Sequence, residues 1–261
     1  MEGVSLRLIA PLVTPYTDDG STISEIRLAR LMRRYRESGL EGVVVGSDAG
    51  EFASLSLAER KRLLEWVMRD SGDMAIYVNV TAQTTAIAID ICQDAAANGG
   101  NGAILCPPMV GHLTIEEARN YLNVVRRHGN LGVGWIDPMG VLQEASSTGI
   151  DSVAVKCAEP LADHDLGQYS VTPHGANWEC WTPSGVIHPA AIFGREKGEI
   201  ILEKWPAMKP VLEAVIRHSG VARVGKYIVE AMGIEVGPLR GPFMPLNPAG
   251  REVVDHILSA I

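Results

Sequence analysis

Short β-branched runs alternate with longer stretches of helical period through the first half of this chain. That rhythm restricts its fold more than any other feature. Strands are expected over residues 6–14, 42–46 (GVVVG), 75–80, 102–106, 131–136 and 152–155. Helices are expected over 23–38, 56–69, 84–98 and 114–128. In the first helix Ile26, Leu28, Leu31 and Tyr35 mark the apolar stripe. Ser56 with Glu59 three residues on reads as a capping box, and Thr114 caps a helix with Glu116 and Glu117 in its first turn. Strands alternating with helices imply βαβ units and a parallel sheet, closed as a barrel or left open and doubly wound. No GxGxxG follows the first strand, and the nearest glycine cluster, Gly46 to Gly50, follows the second, which weakens the dinucleotide-binding option. In the second half a strand over 169–172 would leave only five residues before one over 178–182, too few for a parallel crossover of about ten or more. Strand seven is therefore placed at 178–182, a short helix at 189–196 and strand eight at 199–203, with helices over 206–218, 222–232 and 248–261. The residues alone give one α/β domain with a helical tail, and leave the closed barrel and the open doubly wound sheet both possible.

Composition narrows the class of partner. The chain has 261 residues, 46% of them hydrophobic, and a net charge of -8. Its densest basic cluster is Arg33, Arg34 and Arg36 on one helix, which argues against nucleic acid as a partner. No apolar run approaches the roughly 18 residues of a membrane span, and MEGVSLRLIA does not read as a signal peptide. Four separated cysteines without a CxxC pair read as reduced thiols, so a cytoplasmic location is expected. His174, Cys180 and His188 fit no common metal-ligand spacing, and no nucleophile elbow is present, so no metal, cofactor or serine triad is expected.

Lysine is scarce, at six residues against seventeen arginines, and one of the six ends a strand. Lys156 closes the apolar run of SVAVKCA. At the C-terminal end of a barrel strand it would enter the mouth where active sites form. A partly desolvated ammonium there has a lowered pKa and becomes a nucleophile suited to a Schiff base with a carbonyl substrate. The competing reading is a lysine that snorkels from the barrel end and pairs with Glu159.

Five segments in order, APLVTPYTDDGSTI (10–23), VVVGSDAGEFASLSLAERKRLLE (43–65), ILCPPM (104–109), VAVKCA (153–158) and GIEVGPLRGPFMPL (233–246), resemble the dihydrodipicolinate synthase / N-acetylneuraminate lyase family nearly end to end. The segments around Glu51 and Gly237 are the most specific. The resemblance implies an α/β fold, a (β/α)8 TIM barrel over residues 1–205 with a shortened C-terminal helical extension over 206–261. It also implies class I aldolase chemistry, in which pyruvate or another 2-oxo acid forms an imine with the strand-six lysine, here Lys156. A homo-oligomer, a dimer or tetramer, is implied as well.

The chain departs from the family pattern around that lysine. The family's hydroxyl pair in a GGTTGE-like loop binds the substrate carboxylate. Here Ser47, Asp48 and Ala49 precede Gly50 and Glu51. Backbone N–H groups can still bind a carboxylate, but an ionised Asp48 beside it would repel it by about 4 kcal/mol at roughly 4 Å with an effective dielectric near 20. Asp48 then points away, is protonated, faces a different ligand or pairs with Lys156. The family's strand-five tyrosine, which relays protons, is matched by Trp135, whose indole is no acid or base at neutral pH. Gly140 stands at the frequent arginine position, and Met109 and Val110 stand near the second tyrosine. Asp48, Asp137 and Glu203 are candidates for a rebuilt proton shuttle, although Asp137 before Pro138 also reads as a turn residue. Trp135 and Trp181 are candidates for narrowing the pocket, with packing at the barrel mouth as the alternative.

Three functions compete on these residues. The first is a Schiff-base lyase (aldolase, dehydratase or deaminase) acting on a 2-oxo acid through Lys156. The second is a family member that has lost catalysis and binds a small molecule or a protein. The third is a barrel enzyme in which Lys156 acts only as a base or an electrostatic group.

Overall fold

A computed structural model describes residues 9–38, 40, 42–136, 154, 155, 210–212 and 214–260. The elements in chain order are β1 (Ile9–Pro11), α1 (Glu25–Glu37), β2 (Gly42–Val45), a 3-10 turn (Phe52–Ser54), α2 (Leu57–Asp70), β3 (Ala75–Asn79), α3 (Thr85–Ala97), β4 (Gly102–Leu105), α4 (Ile115–His128), β5 (Val133–Ile136), β6 (Ala154–Val155), α5 (Val221–Ala231) and α6 (Pro248–Ser259). Residues 210–212 and 214–219 are also helical. The six strands form one sheet in the order β1-β2-β3-β4-β5-β6, with every neighbouring pair parallel. Six sequential parallel strands, the first five joined by α1 to α4, follow the order of the expected barrel. The positions expected for strands seven and eight, and the boundary at residue 205, lie outside the described residues.

The helices begin where local chemistry dictates. Ser24, Ser56, Thr84, Thr114 and Asn247 each accept a backbone N–H at an N-cap, and both Ser56/Glu59 and Thr114/Glu117 complete reciprocal capping boxes. Pro248 opens α6, where a missing N–H costs nothing. Helix α1 buries Leu28, Leu31, Met32 and Tyr35, spaced i, i+3, i+4, i+7. Ile26, expected in that stripe, is instead 69% exposed, because it lies on the opposite side of the helix.

The sheet is buried on both faces, as a parallel sheet must be. Val43, Val45, Ile76, Val78, Ala103, Leu105, Val133 and Trp135 join one core with the apolar faces of α1 to α4. The alternate positions Val44, Tyr77 and Ile104 are buried on the other face, where Val44 and Tyr77 are register partners. No helix among the described residues is long and apolar enough to cross a membrane.

The capping box of α2 generates a direct prediction. Ser56→Ala removes one side of the box and should cost about 1 kcal/mol, which for a chain of this size lowers Tm by roughly 2–4 °C in calorimetry. An unchanged Tm would show that Glu59 and water satisfy the freed N–H groups.

Candidate active site

At the C-terminal edge of the sheet the strand ends are laced together by short polar side chains. Thr14, just past β1, donates its hydroxyl to the Gly50 carbonyl at 2.5 Å. Asn79, the last residue of β3, donates Nδ2 to the Gly46 carbonyl at 2.8 Å and accepts the Thr81 N–H at 3.0 Å. The Thr81 hydroxyl accepts the Cys106 N–H at 2.8 Å. Thr14, Asn79 and Thr81 are all buried. Arg60 of α2 reaches under this edge, donating to the Thr81 carbonyl at 2.8 Å and to the Asn79 carbonyl, with its guanidinium over the Phe52 ring. Burial pulls the Arg60 pKa down to about 10, still far above neutrality. The ends of β1, β2, β3 and β4 are thereby held in fixed relation.

The loop over residues 46–51 is the polar centre of this edge. Gly46 enters the left-handed region at φ 69°. Gly50 N–H donates to the Ser47 carbonyl at 2.9 Å and Glu51 N–H to the Asp48 carbonyl at 3.1 Å, so the loop closes as overlapping turns. A Cβ at Gly50 would lie 2.6 Å from the Leu12 carbonyl oxygen, which excludes any other residue there without movement of β1. Among the described residues no acceptor meets the N–H groups of Asp48 and Ala49, and the buried Ser47 Oγ has no partner. The loop thus carries three donors on consecutive residues, of which the Ser47 hydroxyl and Ala49 are buried. Asp48 is open to solvent, but the surrounding protein raises its carboxyl pKa by desolvation.

Glu51 ends the loop in the left-handed conformation (φ 55°) with its carboxylate buried. Its Oε1 lies 2.7 Å from Lys226 Nζ, and its Oε2 accepts the Arg240 N–H at 3.0 Å. The Lys226 and Glu51 side chains are 4% and 1% exposed. Lys226 Nζ also donates to the Pro238 carbonyl at 2.6 Å and lies over the Tyr16 ring. Arg240 covers the same ring and bonds Glu59 at 2.7 Å, the Ser54 carbonyl at 2.9 Å and the Ser21 carbonyl at 2.8 Å. Burial lowers the Lys226 pKa against the pull of the Glu51 carboxylate, and the Arg240 hydrogen bond holds Glu59 down at about 2. Desolvation pushes the Tyr16 phenol well above its ordinary value. Gly237, in the left-handed region, lets the 234–246 segment lie directly on the Tyr16 carbonyl.

The structure brings together Ser47, Asp48 and Ala49 of the expected site. Trp135 is placed elsewhere. It shares the register of Leu105, is fully buried, and meets the Tyr121 ring of α4 edge-to-face at 6.4 Å. Its side chain therefore lies on the helix side of the sheet, where it packs and does not narrow a substrate pocket. Met109 and Val110 are 65% and 75% exposed. Lys156, Asp137, Trp181 and Glu203 lie outside the described residues, as does Gly140. The sequence reading did not single out Thr14, Asn79, Thr81, Arg60, Lys226 or Arg240. Its one signal for the ion cluster was that Glu51 and Arg240 fall in the two most specific of the segments that carry the family resemblance.

Removing one member of a buried pair leaves the other charged and unpaired, at a cost of about 3–5 kcal/mol. Glu51→Leu should lose that much in urea unfolding, and the further change Lys226→Met should restore most of it. Additive losses in the double variant would contradict a direct pairing.

A profile of the Dihydrodipicolinate synthetase family matches residues 4–133. The 4-hydroxy-tetrahydrodipicolinate synthase of Prochlorococcus marinus (strain NATL2A) is 33% identical over 291 aligned positions, covering 98% of this chain and 95% of that protein. An uncharacterized DapA-like lyase of Rhizobium meliloti is 32% identical over 156 positions, 59% of this chain and 49% of that one. Among solved structures, the Proteus mirabilis N-acetylneuraminate lyase superposes with a TM-score of 0.72 at 17% identity, covering 99% of both chains. The Cyanidioschyzon merolae dihydrodipicolinate synthase with lysine bound gives 0.75 at 15% identity, covering 98% of this chain and 97% of that one. At these identities the structural likeness shows the fold, a TIM barrel of which the six described strands are the first six.

Proposed function

The chain belongs to the dihydrodipicolinate synthetase family, a family of lyases, and on that premise we propose that it is a Schiff-base-forming lyase acting on pyruvate or another 2-oxo acid through Lys156. One observation carries the reading. Strand β6 ends at Val155, paired in parallel with Ile136 of β5 at the sheet edge that also bears the 46–51 loop, and Lys156 follows Val155 in the sequence. In this reading the substrate carboxylate lies on the Asp48 and Ala49 N–H groups and the Ser47 hydroxyl. The Lys156 amine attacks the C2 carbonyl carbon, forming a C–N bond as the carbonyl electron pair moves to oxygen. Loss of that oxygen as water, with one proton taken from the attacking nitrogen and one from a general acid, leaves a protonated imine, which accepts the electron pair released when a bond to C3 breaks.

The proton relay differs from the family pattern. The indole of Trp135 is no acid or base at neutral pH. Asp48, Asp137 and Glu203 remain the candidate acid/base groups, with Trp181 a candidate for the pocket wall. The replacement of the hydroxyl pair by Asp48 and Ala49 favours a second reading, a member that binds its ligand without lyase activity. Borohydride reduction in the presence of a panel of 2-oxo acids separates the two. The lyase reading expects a mass increase on the peptide carrying Lys156 and none in Lys156→Ala. Absence of an adduct with every member of the panel supports the second reading.

Asp48 makes carboxylate binding depend on pH with a definite sign. Its neutral form is favoured by desolvation, so below its raised pKa the carboxyl is protonated and tolerates the substrate carboxylate. As pH rises through that pKa, the carboxylate forms and repels it. Pyruvate affinity measured by calorimetry should therefore weaken with rising pH in the acid range, and Asp48→Asn should flatten the dependence. An unchanged dependence in Asp48→Asn would assign the effect to another group.

A further inference from the structure

We propose that Lys226, on the helical segment that follows the barrel, is a positioning residue for the 46–51 loop, so that affinity for the substrate carboxylate is set in part from the C-terminal extension. The inference rests on the reading of that loop as the carboxylate cradle. Glu51 is the last residue of the loop, and both of its carboxylate oxygens are held from beyond residue 220, by Lys226 Nζ at 2.7 Å and by the Arg240 N–H at 3.0 Å. Glu51 adopts a left-handed backbone that a β-carbon disfavours, so its conformation depends on the surrounding structure. From the other side the Gly50 carbonyl is fixed by Thr14. The free donors at Ser47, Asp48 and Ala49 thus hang between two anchored residues and an extended strand end. Lys226 is itself anchored by the Pro238 carbonyl and the Tyr16 ring, so it transmits the position of the 234–246 segment to Glu51. Lys226 touches none of the cradle donors and acts only through Glu51.

The test compares the full-length wild type with Lys226→Met and with Lys226→Met/Glu51→Gln. The second variant carries no unpaired buried carboxylate and so guards against loss of fold. Hydrogen exchange reads the amides of Gly50, Glu51 and Phe52, which bond within the loop, against those of β2 and β3. Borohydride trapping reads the pyruvate concentration for half-maximal modification and the maximal rate. The expected result is faster exchange confined to the loop in the double variant, and exchange that rises more in the loop than in β2 and β3 in Lys226→Met. With it, the half-saturating pyruvate concentration should rise about ten-fold while the maximal trapping rate is retained. Exchange that rises equally in β2 and β3, or a half-saturation unchanged beside a loosened loop, would show a purely structural lysine and overturn the proposal. If the wild type traps no 2-oxo acid, the lyase reading fails on its own, and loop-confined exchange alone then decides whether Lys226 positions residues 46–51.

Discussion

A carboxylate taken out of water must be met by a cation and by hydrogen bonds, and Glu51 is such a carboxylate at the hinge of the structure. Its partners, Lys226 and the Arg240 N–H, come from a part of the chain 175 or more residues later. These contacts join the loop after β2 to α5 through Lys226 and to the segment after α5 through Arg240, and Tyr16 between those two side chains brings in the loop after β1. Arg240 extends the junction to Ser21, Ser54 and Glu59, so that one buried cluster ties the barrel's first two units to the C-terminal helices. The net energy of such a cluster is small compared with the cost of breaking it, so its main consequence is geometric.

That geometry bears on chemistry because the same loop carries the donors that meet no acceptor among the described residues. The strand ends beneath it are cross-linked by Thr14, Asn79, Thr81 and Arg60, all working against backbone groups. Side chains committed in this way are scaffold. Among the described residues Ser47 Oγ and the Asp48 and Ala49 N–H groups meet no partner. A rigid array of donors with its reorganisation already done at folding is what anion recognition requires. Asp48 is the discordant element, since it places an ionisable acid beside that array.

Much of the fold was legible because its determinants are local. Ser56 with Glu59, and Thr114 with Glu117, act within one helical turn, and the β-branched runs mark strands whatever lies beside them. The face of Trp135 was not legible. In a parallel strand buried on both sides the sequence carries no polar alternation to show which residues point inward, and only the register with Leu105 settles it. Ile26 misled for a related reason, because Met32 completes the buried stripe of α1 and leaves Ile26 outside. The 46–51 loop stood out through the family resemblance of residues 43–65, whereas Lys156, the other half of the expected site, lies outside the described residues. Lys226 was not legible, because a lysine in an amphipathic helix reads as surface, and its partner lies at a sequence distance no local pattern reports.

A crystal of the protein soaked with pyruvate tests the central claim most directly. The account predicts continuous density from Lys156 Nζ to C2 of the ligand, with the carboxylate on the N–H groups of Asp48 and Ala49. Pyruvate bound without a bond to Lys156, or with its carboxylate away from residues 47–49, would contradict it.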